Sequence, residues 1–215
     1  MKLQENALRL YAVTDRAWAA DEAALLSQVE AAIDGGAGMV QLREKQLEEG
    51  AFFKEAERFV ALCRRKGVIS IINDNVAVAL RTGADGVHVG QEDLAAGRVR
   101  ELLGPDRIIG VSAHNPEEAL AAQAAGADYL GVGAAFVTGT KTDARPISRE
   151  TIRAVTAAVD IPVVAIGGIT GENILDLAGC GLYGVAVVSA LFAQRDVKAA
   201  AQKLRRLSER IARNA

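Results

Sequence analysis

A chain of 215 residues, 50% hydrophobic and 24% charged, is long enough to bury one large core. Its formal net charge of −2 offers no bulk field to nucleic acid or to an anionic membrane surface, and no apolar run approaches the roughly 18 residues of a membrane span. The opening M-K-L-Q-E-N lacks the apolar centre of a signal peptide, and Cys63 and Cys180 share no metal-ligand spacing, so a cytoplasmic protein with two reduced structural thiols is expected rather than a disulfide.

Taken in chain order, short apolar runs alternate with helix-compatible ones. Strands are predicted at Leu8–Val13, Met39–Leu42, Ser70–Ile72, Gly86–Val89, Ile108–Val111, Tyr129–Val132, Val163–Ile166 and Gly184–Val188. Helices are predicted at Asp21–Ile33, Glu48–Arg65, Val76–Arg81, Ala95–Leu103, Pro116–Ala125, Ser148–Ala158, Glu172–Ala178 and Val197–Ala212. Glycine-led joints at Gly36, Gly83, Gly126 and Gly181 precede strands and read as helix stops. Eight units in strict alternation, with no linker or composition break, predict a single domain over residues 1–215, a (β/α)8 barrel. An open doubly wound sheet is the alternative, and eight near-equal units favour closure. The basic last helix, with Lys198, Lys203, Arg205, Arg206, Arg210 and Arg213, reads as a solvated outer face rather than a patch for an acidic partner. Nothing in the chain dictates an oligomeric state, and a homo-oligomer is compatible with it.

In such a barrel chemistry sits where strands end. Strand 2 runs into Gln41, Arg43 and Lys45, which alternate and so face one way, a grouping that calls for an anionic ligand. Strand 3 ends in Asn73-Asp74 and strand 4 runs on to Asp93. Two carboxylates on neighbouring strand ends either share a hard cation such as Mg2+ or cap the helices that follow. Strand 5 brings Ser112 and His114; Ser112 lacks the surroundings of a nucleophile and reads as a hydrogen-bond donor, while His114 fits a substrate contact and a structural role equally. His88, between two valines, reads as a core residue. The longest loop, residues 134–147, carries Thr138, Thr140 and Lys141 around Gly139, a composition suited to phosphate capture and also to a plain surface loop. Strands 7 and 8 end at Gly167-Gly168 and Val188-Ser189, where barrels often bind a phosphate. The rim thus offers two anion sites, one with more positive charge than a monophosphate needs. That arrangement implies small phosphate-bearing substrates and group transfer with pyrophosphate as the leaving group.

The motifs V-Q-L-R-E-K (40–45), I-I-N-D (71–74), G-A-D-G-V-H-V-G-Q-E-D (83–93), G-V-S-A-H (110–114), T-G-T-K (138–141), V-A-I-G-G-I (164–169) and V-V-S-A (187–190), with Y-A-V-T-D-R (11–16), resemble those of the thiamine phosphate synthase family in order and spacing over nearly the whole chain. The resemblance implies coupling of 4-amino-2-methyl-5-pyrimidylmethyl diphosphate to 4-methyl-5-(2-hydroxyethyl)thiazole phosphate, dissociatively, with release of pyrophosphate. By matching motif, Gln41, Arg43, Lys45, Asn73, Ser112 and Lys141 would contact the pyrimidine diphosphate, with Arg43, Lys45, Ser112 and Lys141 taking catalytic parts. Asp74 and Asp93 would hold Mg2+, and Thr138, Thr140, Gly168, Val188 and Ser189 would contact the thiazole phosphate. The chain departs from the family around Phe136, where Ala134 and Val137 replace flanking prolines. A related thiazole tautomerase shares the barrel but tends to lose the diphosphate set, which is complete here. A barrel that only binds ligand would have little need for the carboxylates.

Overall fold

Parallel pairing carries the chain once around a ring. The computed structural model describes residues 3–90, 96–139 and 145–213. In it β1 (Leu10–Val13), β2 (Met39–Leu42), β3 (Ile69–Asn73), β4 (Gly86–Val89), β5 (Ile108–Ala113), β6 (Tyr129–Val132), β7 (Val163–Ile166) and β8 (Gly184–Val187) pair in sequence order, and β8 returns to β1. The sheet is a closed barrel, as the repeating units predict, and not an open one. Outside it lie α1 (Glu22–Asp34), α2 (Glu49–Lys66), α3 (Val76–Thr82), α4 (Ala96–Leu103), α5 (Pro116–Ala124), α6 (Arg149–Ala158), α7 (Ser189–Phe192) and α8 (Val197–Ile211).

Local chemistry sets these boundaries. Asp21, Asn75, Asn115, Ser148 and Asp196 each accept a hydrogen bond from a backbone N–H in the first turn of the helix that follows. Each cap satisfies an otherwise orphaned donor and is worth about 1 kcal/mol. Gly83 ends α3 in the left-handed region at φ 69°, and its N–H reaches back to the last-turn carbonyls. A side chain there would be strained.

Alternation along the strands divides the buried residues into two sets. Leu10, Ala12, Val40, Leu42, Ile72, Val87 and their neighbours pack outward against the helices. Tyr11, Met39, Ile71, Ile108, Tyr129, Val164 and Ala186 form a separate cluster inside the barrel. The inward positions continue toward the strand ends as Gln41, Asn73, His88, Ser112, Ile166 and Val188, so the same alternation that fills the barrel aims the polar residues into its mouth. Cys63 and Cys180 are both free and buried, as expected, and burial pushes the Cys63 thiol up. Among the described residues no helix is long and apolar enough to cross a membrane.

Three elements differ from expectation. Residues 5–9 form a 3-10 turn, so β1 begins at Leu10 rather than Leu8. The helix predicted over Glu172–Ala178 is only a 3-10 turn, Ile174–Leu177. Asn173 turns its side chain back, accepting from Thr170 N and donating to the Gly168 carbonyl, and Gly179 at φ 73° closes the segment before a second turn can form. An unpredicted short helix, α7, instead starts at Ser189 directly after β8.

Candidate active site

A cavity of about 560 Å3 opens at the carboxyl ends of the strands. Ten of the thirteen residues singled out from the sequence line it: Gln41, Arg43, Lys45, Asn73, Asp74, Ser112, Thr138, Gly168, Val188 and Ser189. The other three, Asp93, Thr140 and Lys141, lie outside the described residues.

On the β2–β3 side, backbone geometry fixes the charges. Thr14 N donates to the Gln41 carbonyl at 3.0 Å and Arg43 N donates to Thr14 Oγ1 at 3.0 Å, which extends the β1–β2 edge past its last ladder pair. Arg43 then pairs with Asp15 at 3.2 Å and Lys45 with Asp74 at 2.9 Å. Behind them Arg16 bridges Glu44 and the buried Glu55, tying the segment after β2 to α2. Burial raises the Glu55 pKa, only partly offset by the guanidinium. Burial also penalises Glu44, but hydrogen bonds from the backbone of Gln46 and Lys45 and from Arg16 hold its pKa below the usual glutamate value.

Asp74 is the one non-glycine residue with positive φ among those described, at 59°. Its N–H continues the β3–β4 ladder by donating to the His88 carbonyl at 2.9 Å, and its carboxylate receives Lys45 and the Asn73 amide. Asp74 is not a helix cap, because the neighbouring Asn75 caps α3. The left-handed turn places the Asp74 carboxylate on the cavity wall. Its oxygens fit Mg2+, which binds through one or two carboxylates together with substrate phosphates. No group of three or more metal-binding side chains exists among the described residues.

On the opposite sector, Gly168 sits at φ 65°, and a Cβ there would overlap the carbonyl oxygen of Val137. The base of the long loop is zipped to the end of β7, Ala135 N donating to Ile166 O at 2.8 Å and Phe136 N to Gly167 O at 3.0 Å, and Ile147 N donates to Ala134 O at 2.8 Å across the two ends of the loop. Those bonds hold the base without the prolines that the family places there.

The floor of the cavity is a hydrogen-bonded chain. Gln41 Nε2 donates to the Tyr11 hydroxyl, which lies 2.9 Å from the Tyr129 hydroxyl. Tyr129 is 3.0 Å from His88 Nδ1, and His88 Nε2 is 3.1 Å from Ser112 Oγ. His88 is buried, as expected of a core residue, but its burial is inside the barrel beneath the site. Burial raises the pKa of both tyrosines, so both hydroxyls keep their protons. His114 also lines the cavity, and its ring pairs with Glu118 at 2.8 Å. Against the cost of burial, those hydrogen bonds hold the Glu118 pKa below the ordinary value.

Sequence reasoning missed Tyr11, Tyr129 and Arg145, all near or lining the cavity. Tyr11 and Tyr129 were recognisable as inward strand positions, but nothing in the chain told which hydroxyl would meet which. Arg145 sits past Lys141 and had no spacing to mark it. It makes no ion pair with any described residue, unlike Arg43 and Lys45.

A family profile described as thiamine monophosphate synthase matches residues 10–191. The chain belongs to the thiamine monophosphate synthase family. It is 49% identical over 195 residues to the thiamine-phosphate synthase of Ruminiclostridium cellulolyticum, covering 91% of this chain and 92% of that one. It is 50% identical over 200 residues to that of Chloroflexus aurantiacus, covering 93% and 92%. A solved thiamine phosphate pyrophosphorylase from Pyrococcus furiosus superposes with TM-score 0.88 at 38% identity, over 96% of this chain and 98% of that one. Family membership therefore rests on most of the length of both partners, and the cavity occupies the strand ends that the family's motifs supply.

Proposed function

We propose that this barrel couples 4-amino-2-methyl-5-pyrimidylmethyl diphosphate to 4-methyl-5-(2-hydroxyethyl)thiazole phosphate, giving thiamine phosphate and pyrophosphate. The observation that carries the reading is convergence. One cavity is lined by the cation-bearing end of β2 (Arg43, Lys45), by Asn73 and Asp74 at the end of β3 and by Gly168, Val188 and Ser189 of the β7–β8 sector. That is room and charge for a diphosphate and a second phosphate together.

The bond between the pyrimidylmethyl carbon and the diphosphate oxygen breaks, and the electron pair leaves with pyrophosphate. The thiazole nitrogen then supplies the pair for the new C–N bond. Departure of so charged a group depends on neutralising it more than on a base. Arg43, Lys45 and Lys141 take that part, with Ser112 and Asn73 as hydrogen-bond partners and Gln41 toward the pyrimidine. Arg145 adds a cation without an ion-pair partner among the described residues. Asp74 with Asp93 would hold Mg2+, which when bound neutralises diphosphate oxygens. Thr138, Thr140, Gly168, Val188 and Ser189 hold the thiazole phosphate. Two buried, reduced thiols accord with a cytoplasmic setting.

The test supplies both substrates with Mg2+ and follows pyrophosphate and thiamine phosphate together. Equal release of both, lost in Asp74→Ala/Asp93→Ala, is the expected result. Tight binding of the thiazole phosphate with no coupled product would overturn the reading.

A further inference from the structure

The floor of the cavity contains a proton-counting constraint. Three links join Gln41 to His88 through two hydroxyls: Gln41–Tyr11, Tyr11–Tyr129 and Tyr129–His88 Nδ1. Each link takes one hydrogen. Gln41 Nε2 brings one and the two tyrosines bring one each, so the three links are filled only if His88 Nδ1 brings none. Were Nδ1 to carry a hydrogen, one tyrosine O–H would have no acceptor along this chain, in a place where Tyr11 is 1% and Tyr129 0% exposed. A buried donor without a partner costs on the order of 1–3 kcal/mol, enough to set the direction. Both tyrosine hydroxyls keep their protons because burial disfavours the phenolates.

We infer that His88 is a positioning residue whose hydrogen is held on Nε2 by a one-way hydrogen-bond chain from Gln41. The fourth link follows from the first three. His88 Nε2 donates to Ser112 Oγ at 3.1 Å, so Ser112 is the acceptor on this link. At the other end Gln41 spends one of its two amide hydrogens on Tyr11 and keeps the other together with its carbonyl oxygen. Both Gln41 and Ser112 line the cavity. One polarised chain therefore runs from β2 to β5 beneath the cavity. On the reading that this site takes the pyrimidine diphosphate, the chain fixes the orientation of the Gln41 and Ser112 side chains that face that substrate.

Two glycines make the chain possible. A Cβ at Gly110 would overlap the Tyr129 ring and hydroxyl and the His88 ring, and one at Gly131 would stand 3.1 Å from His88 Cε1. Both occupy inward strand positions where a barrel ordinarily packs branched side chains. The interior gives up that volume to the Tyr129–His88 pair, whose rings stand 5.5 Å apart.

The experiment is 15N NMR of the histidine rings in the protein alone. The chain has two histidines, so the Nδ1 and Nε2 signals of His88 are assigned against a His114→Gln control. The expected result is a protonated Nε2 and an unprotonated Nδ1. Gln41→Glu, read where the introduced carboxylate is ionised, removes the hydrogen that starts the chain. The tyrosines must then turn round, and the hydrogen on His88 should appear on Nδ1. Tyr129→Phe should raise KM for the pyrimidine diphosphate about tenfold and leave KM for the thiazole phosphate unchanged. Protonated Nδ1 in the wild type, or an unmoved hydrogen in Gln41→Glu, would overturn the inference. The NMR arms need no turnover, so a protein with this tautomer but no coupling activity would overturn the proposed reaction and leave the chain standing.

Discussion

Lys45 Nζ stands 2.9 Å from Asp74 Oδ2, so a cation and an anion carried by the ends of neighbouring strands meet inside the cavity. Asp74 reaches that position through a left-handed backbone that asparagine also tolerates well. Asp74→Asn therefore removes the charge and keeps the turn. On the proposed part of Asp74 as a Mg2+ ligand, kcat/KM should fall about 100-fold or more, since an ionic ligand near the leaving group is worth several kcal/mol. The thermal midpoint should move by no more than about 2 °C, as asparagine keeps the shape of the side chain and the ion pair lost is to the half-exposed Lys45. Activity titrated against Mg2+, with melting followed alongside, checks both halves. Unchanged turnover would remove Asp74 from the chemistry.

Arg145 is exposed, lines the cavity and has no described ion-pair partner. Its replacement by alanine should raise KM for one phosphate substrate about tenfold, the scale of one charge-assisted hydrogen bond. Stability should be unaffected. Initial rates with each substrate varied in turn will tell which phosphate it meets. Wild-type KM for both would deny it a binding part.

Gly110→Ala adds one methyl group where Tyr129 and His88 already stand. Overpacking of a filled interior costs about 1–3 kcal/mol or more. Urea unfolding should show a lower midpoint with an unchanged slope. A midpoint equal to wild type would mean that the interior of β5 and β6 can yield.

Arg16 holds two carboxylates whose shifts are opposite in sign, and stability should report both. The Glu55 pKa is raised above 4.5, so the folded state holds that proton more tightly than the unfolded state. Its contribution is present below pH 4.5 and is lost as pH rises through the folded value. The Glu44 pKa is lowered, so its contribution is present above pH 4.5 and is lost as pH falls through the folded value. Subtracting the Glu55→Gln stability profile from wild type should leave a difference that declines as pH rises. The same subtraction with Glu44→Gln should leave one that declines as pH falls. Denaturant unfolding across the acid range measures both, and two differences of the same sign would contradict the assignment.

The strands were legible because apolar runs bounded by turn residues are what a barrel strand, covered on both faces, must be. Alternation at the end of strand 2 also told that Gln41, Arg43 and Lys45 face one way. The turn at Ile174–Leu177 was not legible, because its composition suits a helix and only the returning Asn173 side chain stops it. Asp74 was readable as a strand-end carboxylate, yet the choice between cap and cavity depended on Asn75, one residue on, taking the cap. The Tyr11–Tyr129–His88 chain joins residues up to 118 positions apart, and a pattern that reads local spacing has no access to it. Arg145 reaches the cavity by the path of a loop, which no periodicity describes.

Both thiols of this chain are sealed into the layer between sheet and helices, and Cys63 is further discouraged from ionising. Thiol-directed reagents should therefore meet no competing nucleophile on the folded protein. Val137, 84% exposed, has its backbone carbonyl against Gly168 at the base of the long loop. A fluorophore attached through Val137→Cys would sit at the edge of the Gly168 sector of the cavity, on an otherwise silent background. The barrel is thus already suited to optical recording of ligand arrival, with no native cysteine to remove first.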